Sequence, residues 1–268
     1  MKLIFTLILL ATTVLMIDGI IQGSTTRAHW WPFLVFIERN KHLDSRCGGS
    51  LISKNYVLTA AQCVKGTTAL TLTFGLFDLT DKQEQGHVIY QVQRDDVKIH
   101  EYFDETTLEN DIALIKLDKP IEITDTINTV KVATKDDIQN LVGQEAITIG
   151  WGQVNPMGTP LYADVPEAIW IHVIDRYGGE CSERFGSLIQ ETNICCEHVN
   201  LPNGPNLNLC DGDYGGPLAI NATFYSSETL LVGVASFSTK KCNLAYPNVF
   251  TDVSKYTDWI KENSDVVF

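Results

Sequence analysis

Short runs of β-branched and aromatic residues recur along this chain of 268 residues, and they limit its fold more than any other feature. Clear examples are residues 33–37 (FLVFI), 70–74 (LTLTF), 146–149 (AITI) and 230–234 (LLVGV). Glycine, asparagine, aspartate and proline separate the runs, as they separate antiparallel strands joined by turns. The pattern predicts an all-β sandwich or barrel.

Only the end of the chain has helical periodicity. From Val253 to about Asn263, the apolar residues Val253, Tyr256, Trp259 and Ile260 fall on one face at helical spacing. A helix is therefore expected at the C-terminus and nowhere else.

The first residues have the layout of a secretory signal, with one lysine followed by an apolar and small-residue run. We expect residues 1–19 to be a signal segment that is too short for a confident membrane span. Residues 20–268 would then form the secreted protein. Their length suits one large all-β domain as well as two smaller ones, and we expect a single domain.

Charge and cysteine content narrow the possible partners. The net charge of −13 makes nucleic acid an improbable partner. Seven cysteines in a secreted chain predict disulfides with one thiol left over. No Cys-x-x-Cys pair occurs and the histidines are scattered, so the sequence predicts no metal site and no cofactor.

Several short motifs occur in a fixed order along the chain. They are residues 20–23 (IIQG), 31–33 (WPF), 47–52 (CGGSLI), 60–63 (AAQC), 111–114 (DIAL), 150–152 (GWG), 210–217 (CDGDYGGP) and 256–260 (YTDWI). Together they resemble the chymotrypsin family of serine proteases from end to end. The resemblance implies two packed six-stranded antiparallel β-barrels, a cleft between them and a C-terminal helix.

The resemblance also assigns the catalytic positions. Gln62 stands where the family has its general base, Asp111 at the acid and Tyr214 at the nucleophile, with the former oxyanion hole at Gly212 and Tyr214. An amide cannot accept a proton near neutral pH, and a phenol has replaced the attacking hydroxyl. On this basis we expect a degenerate serine protease that is not an enzyme.

The specificity pocket also departs from the family pattern. Its floor corresponds to Asn208, which lacks the charge that a trypsin uses, and two usually glycine wall positions correspond to Ser238 and Asn248. These side chains would narrow the pocket. Tyr214 either swings in to fill it or points to solvent.

The resemblance implies three disulfides and one activation contact. The disulfides are Cys47 with Cys63, Cys210 with Cys242, and Cys181 with Cys195 or Cys196, of which Cys195 aligns better and leaves Cys196 free. In the family, a new N-terminal amine inserts beside the acid preceding the nucleophile, here Ile20 and Asp213; alternatively, no amine forms there. Asn221 begins a possible glycosylation sequon, Asn221-Ala222-Thr223.

The replacement of both base and nucleophile is most similar to the scabies mite inactivated serine protease paralogues, relatives of the group 3 mite allergens. This likeness implies a secreted, catalytically inactive protein, in the gut lumen or elsewhere outside cells, that binds host complement components. The alternative is a decoy or cofactor that regulates active proteases. A hydrolase of unusual mechanism lacks a recognisable nucleophile and base pair. We expect a monomer that binds proteins and neither nucleic acid nor membrane.

Overall fold

The computed structural model describes residues 24–39, 46–155, 159–198, 208–222, 228–239, 242 and 246–268. The predicted signal segment 1–19 and Ile20 lie outside the described residues. Two antiparallel β-sheets account for most of the regular structure. Within the described part of the chain, no helix is long and apolar enough to cross a membrane.

The first sheet holds seven strands: β2 Leu34–Arg39, β3 Arg46–Leu51, β4 Tyr56–Thr59, β5 Ala69–Phe74, β6 Val88–Gln93, β7 Val97–Ile99 and β8 Ala113–Lys116. Their order in the sheet is β6-β5-β2-β3-β4-β8-β7. Only the 3₁₀ turn Arg94–Asp96 separates β6 from β7. β6 and β7 lie at opposite edges of the sheet but are consecutive in the chain. The sheet therefore closes into a six-stranded barrel in which β6 and β7 together form one interrupted strand.

The second sheet closes through six strands. They are β10 Glu145–Gly150, β11 Glu167–Ile174, β12 Asn193–His198, β13 Pro217–Ile220, β14 Leu230–Phe237 and β15 Asn248–Asp252. The order is β11-β10-β13-β14-β15-β12, and β12 pairs back with β11. Two short strands extend this barrel: β1 (Ser24–Thr25) pairs with the start of β11, and β9 (Lys131–Val132) lies parallel to β14. The predicted all-β fold of the chymotrypsin type is confirmed.

The predicted C-terminal helix is present but begins later than expected. Residues Val253–Lys255 form a 3₁₀ turn, and the α-helix, named α3, spans Thr257–Asn263. The Asp252 side chain accepts a hydrogen bond from the Ser254 amide, which favours the tighter turn. Ile260 of α3 is fully buried, as its spacing predicted.

The expectation that no other helix exists is wrong. Residues Ala61–Val64 form the short helix α1, and Gly179–Phe185 form α2, which continues into a 3₁₀ turn at Gly186–Leu188. Helices of one or two turns are too short to show periodicity in a sequence. Disulfides attach both to the barrels, through Cys63 in α1 and Cys181 in α2.

The two barrels meet closely beside β3. The Gly48 amide donates to the Tyr214 carbonyl at 2.8 Å. A Cβ atom on Gly48 would lie 2.7 Å from the Cα atom of Gly216, so a larger residue would push the barrels apart. This contact brings the loop before β13 against the first barrel and forms one side of the cleft.

Candidate active site

Strand pairing brings Gln62 and Asp111 together. Gln62 lies on α1 directly after β4, and Asp111 precedes β8. Because β4 and β8 pair with Thr59 opposite Ala113, the residues that flank these strands converge at one end of the barrel. The Gln62 backbone nitrogen donates to Asp111 Oδ1 at 2.9 Å.

The Gln62 side chain is held by two acceptors. Its Nε2 atom donates to Asp111 Oδ2 at 2.6 Å and to the Ser236 carbonyl at 2.5 Å. Both partners can only accept here, so the amide orientation is determined by its contacts. Gln62 thus links the first barrel to β14 of the second, and it lacks a group that is basic near neutral pH.

Asp111 is fully buried and carries several hydrogen bonds. Ser236 Oγ donates to its Oδ2 at 2.6 Å, and Thr251 Oγ1 donates to its backbone carbonyl at 2.9 Å. Burial raises the pKa of Asp111 to about 6, although hydrogen bonds from Ser236 and Gln62 act to lower it. Near neutral pH the carboxylate is ionised but retains a substantial affinity for a proton.

Tyr214 turns its ring into the cleft. The ring is partly buried and packs against the hydrophobic core. Burial raises the pKa of the Tyr214 phenol well above its usual range, with Asp211 and Asp213 acting in the same direction. The phenol is therefore neutral across the physiological range.

The pocket residues form a connected polar group. Ser238 Oγ donates to Asn208 Oδ1 at 3.0 Å, and Asn208 Nδ2 donates to the Tyr246 carbonyl at 3.2 Å. Asn248 Oδ1 accepts from the Leu209 amide at 3.0 Å. Ser238 and Asn208 thus lie in one chain of contacts, whereas Asn248 joins it only through the neighbouring loop residue Leu209.

Asp213 is buried beside the GWG motif. Its Oδ1 accepts from the Gly152 amide at 2.8 Å and its Oδ2 from the Cys210 amide at 3.1 Å. A Cβ atom on Gly152 would lie 2.2 Å from Asp213 Oδ2, so this position requires glycine. Burial raises the pKa of Asp213 to about 7. Its predicted pairing with Ile20 remains a prediction.

Gly212 and Tyr214 lie in the turn before β13, at the positions expected to form an oxyanion hole. Among the described residues, the Gly212 backbone amide has no intramolecular acceptor. The oxyanion hole remains a prediction. So does glycosylation of Asn221, which is exposed and has φ of 53°, while Thr223 of its sequon lies outside the described residues.

The predicted disulfides are confirmed. Cys47–Cys63, Cys181–Cys195 and Cys210–Cys242 are bonded, with Cα atoms 6.1, 6.4 and 5.1 Å apart. Of the two partners considered for Cys181, the structure has Cys195. Cys196 points to the opposite face of β12 and is a buried free cysteine. Burial raises the pKa of its thiol well above the usual value.

Comparison with known proteins places this architecture in a family. The family model described as Trypsin matches residues 20–260. The chain belongs to the trypsin family.

Relatives align over most of their length. Chymotrypsin of Phaedon cochleariae is 31% identical over 248 residues, which cover 92% of this chain and 82% of the relative. Chymotrypsin-C of Bos taurus is 32% identical over 251 residues, covering 91% and 88%. Trypsin Blo t 3 of Blomia tropicalis is 29% identical over 246 residues, covering 90% and 85%.

The expectation that this member of the trypsin family is not an enzyme is contradicted by these comparisons. The names of the relatives are those of chymotrypsins and trypsins and point to active serine proteases. The sequence argument relied on Gln62 and Tyr214 and on the pocket positions Asn208, Ser238 and Asn248. In serine proteases, however, the oxyanion hole and binding contacts retain a catalytic effect of roughly 10³ to 10⁴ over water after triad residues are removed. These replacements therefore do not decide against an enzyme.

The sequence analysis gave Ser236 and Thr251 no role, yet both hold Asp111. Each is a hydroxyl residue on a wholly buried strand, β14 and β15 respectively. Buried hydroxyls need partners, so Ser236 in the otherwise apolar β14 was an available signal, whereas Thr251 stands among the polar residues of β15 and gave none. The identity of the partner depends on tertiary structure and could not be inferred.

Proposed function

We propose that this trypsin-family protein is secreted and acts by binding host defence proteins, with complement components as its targets. The family frame, with its three disulfides, supports the proposal because it supplies a stable scaffold for a protein-binding surface. The proposal concerns binding and holds whether or not the protein also hydrolyses peptide bonds.

The observation that carries the proposal is the position of Tyr214. Its ring is partly buried and packs against the hydrophobic core at the cleft. A peptide that entered there would have to displace this ring. The side chains at the base and nucleophile positions, Gln62 and Tyr214, thus both make contacts within the protein, which supports a role in recognition.

Complement is suggested by the likeness in residue replacement to the scabies mite paralogues, and physical chemistry adds an expectation about stoichiometry. A binding protein inhibits in proportion to the targets that it occupies. Inhibition of complement lysis should therefore rise with protein concentration and reach saturation near equivalence with the target. It should also persist when small-molecule protease inhibitors are added to the serum.

A second candidate is a decoy or cofactor that regulates active proteases. The close contact of the two barrels at Gly48 favours a surface shaped like that of a protease, which a protease inhibitor or activator could recognise. In that case, active proteases or their inhibitors from gut extract would bind, while complement components would not.

The test is affinity capture from host serum and from gut extract with the immobilised disulfide-bonded protein, followed by a complement lysis assay. Capture by the Tyr214→Ala variant tests whether the cleft is part of the binding surface. Tyr102→Ala is the matched control, because Tyr102 is 80% exposed. Capture of a complement component with saturable inhibition supports the proposal. Unaffected lysis at micromolar protein, without any complement component captured, refutes it and leaves the second candidate.

A further inference from the structure

A cavity lies at one end of the second barrel. Its volume is about 480 Å³, within the range of small-molecule sites. The loop between β9 and β10, the end of β11 and the 3₁₀ turn after β15 enclose it. The cavity contains none of the residues assigned to the candidate active site, so its ligand and the proposed function can be tested separately.

Three cationic side chains line this cavity: Lys135, Arg176 and Lys255. None of them forms an ion pair with a carboxylate among the described residues, although Lys65, Lys98, Lys131 and Arg184 all do so. Each of the three cations therefore keeps N–H donors that no carboxylate among the described residues occupies, and these donors are available to an anionic group.

Arg176 is positioned by neutral groups. Its Nη1 atom donates to the Glu191 backbone carbonyl, and its guanidinium lies 5.9 Å from the centre of the Tyr177 ring. These contacts orient the side chain and use only part of its set of N–H donors. A guanidinium has five N–H donors in a planar fork that matches carboxylate, sulfate and phosphate.

Three carboxylates also line the cavity, and two of them are engaged in local hydrogen bonds. Asp175 accepts from the Tyr177 amide at 3.0 Å, and the buried Asp252 accepts from the Ser254 amide and hydroxyl. Burial raises the pKa of Asp252, while the Ser254 hydrogen bonds and the charges of Lys255 and Arg176 lower it. Glu191 is exposed and forms no ion pair with Arg176 among the described residues. The three carboxylates balance the formal charge of the three cations, so the proposed preference for an anion depends on the available N–H donors and not on a net positive field.

The rest of the lining supplies an apolar wall. It includes Ile138, Leu141, Val142 and Tyr177. Val142 is 52% exposed and Tyr177 is 59% exposed, so their apolar surfaces are available to a ligand. We propose that this cavity binds an amphipathic organic anion, whose sulfate, phosphate or carboxylate group contacts Arg176, Lys135 and Lys255 and whose apolar part packs on this wall.

The test is isothermal titration of the disulfide-bonded protein with octyl sulfate below its micelle concentration. Octyl glucoside, which has the same chain and no charge, is the control ligand. Arg176→Gln should weaken octyl sulfate binding about tenfold or more, because it removes a charge-assisted contact. Lys255→Gln should weaken it several-fold, and salt should do the same for the parent protein. Lys116→Gln, which changes an exposed lysine on β8, should leave the affinity unchanged.

Three results would overturn the proposal. They are the absence of octyl sulfate binding, equal binding of octyl glucoside, and an affinity that Arg176→Gln and Lys255→Gln leave unaltered. The last outcome would show that octyl sulfate binds by its apolar chain elsewhere. Circular dichroism and urea denaturation of each variant distinguish loss of the site from loss of the fold. Serum capture is an independent measurement, so failure of the complement proposal would not change these expectations.

Discussion

We predict that the free energy of unfolding rises as the pH falls from about 7.5 to about 5. Most proteins lose stability with acid because their carboxyl groups are stabilised in the ionised form. Here, burial raises the pKa of Asp111 to about 6 and that of Asp213 to about 7. A raised carboxyl pKa contributes stability below the unfolded-state value near 3.9, and this contribution is lost as the pH rises through the folded-state value.

The magnitude follows from proton linkage. Between about pH 7.5 and about pH 5, Asp111 should contribute about 1 kcal/mol and Asp213 about 3 kcal/mol of added stability. The pKa of Asp252 is also raised, so this group acts in the same direction. Burial lowers the pKa of His100, so that group opposes the trend, whereas Glu101 has a pKa of about 2 and affects stability only in stronger acid.

Urea denaturation followed by tryptophan fluorescence at a series of pH values measures this trend. Asp111→Asn should remove about a quarter of the rise. A chain that begins at Ile20 provides a second comparison, because insertion of its amine beside Asp213 would lower the carboxyl pKa and remove most of the rise. In the chain that retains residues 1–19, a free energy of unfolding that stays constant or decreases from about pH 7.5 to about pH 5 would refute the assignment of raised pKa values.

Three further outcomes test individual residues. Cys196 should resist alkylation in the native protein and react in denaturant, giving one labelled thiol per chain by mass spectrometry; native-state labelling would contradict its burial. Gly152→Ala should lower the free energy of unfolding by about 3 kcal/mol or more in urea titrations, because its Cβ atom displaces the Asp213 carboxylate and its hydrogen bonds. Tyr214→Ser combined with Gln62→His should raise cleavage after Lys or Arg by less than about tenfold over the parent in peptide assays, because the pocket floor is a neutral amide; a larger increase would show that the pocket is open to basic side chains.

Motif order predicted the fold well because strands and turns are local features and the motifs mark both barrels. Local periodicity failed for α1 and α2, where one or two turns give too little signal. It also placed the C-terminal helix too early, because the Ser254 amide bonds to Asp252. These differences concern the ends and lengths of elements, which depend on individual hydrogen bonds.

The candidate site was predictable in its membership but not in its contacts. The motifs assigned positions to Gln62, Asp111 and Tyr214, and the sequence left two orientations open for the tyrosine. Packing of the ring against the hydrophobic core decides between them. That core is assembled from residues far apart in the chain, so the local sequence around Tyr214 does not reveal the contact.

Asp111 shows why a carboxylate can be needed here independently of proton transfer. Its side chain connects α1 of the first barrel, through Gln62, to β14 of the second barrel, through Ser236. Its backbone carbonyl adds a link to β15 through Thr251. Removing one partner would leave a buried polar group unsatisfied, at about 1–3 kcal/mol. Retention of the acid is therefore explained by the joining of two barrels, and it does not by itself reveal which chemistry the cleft performs.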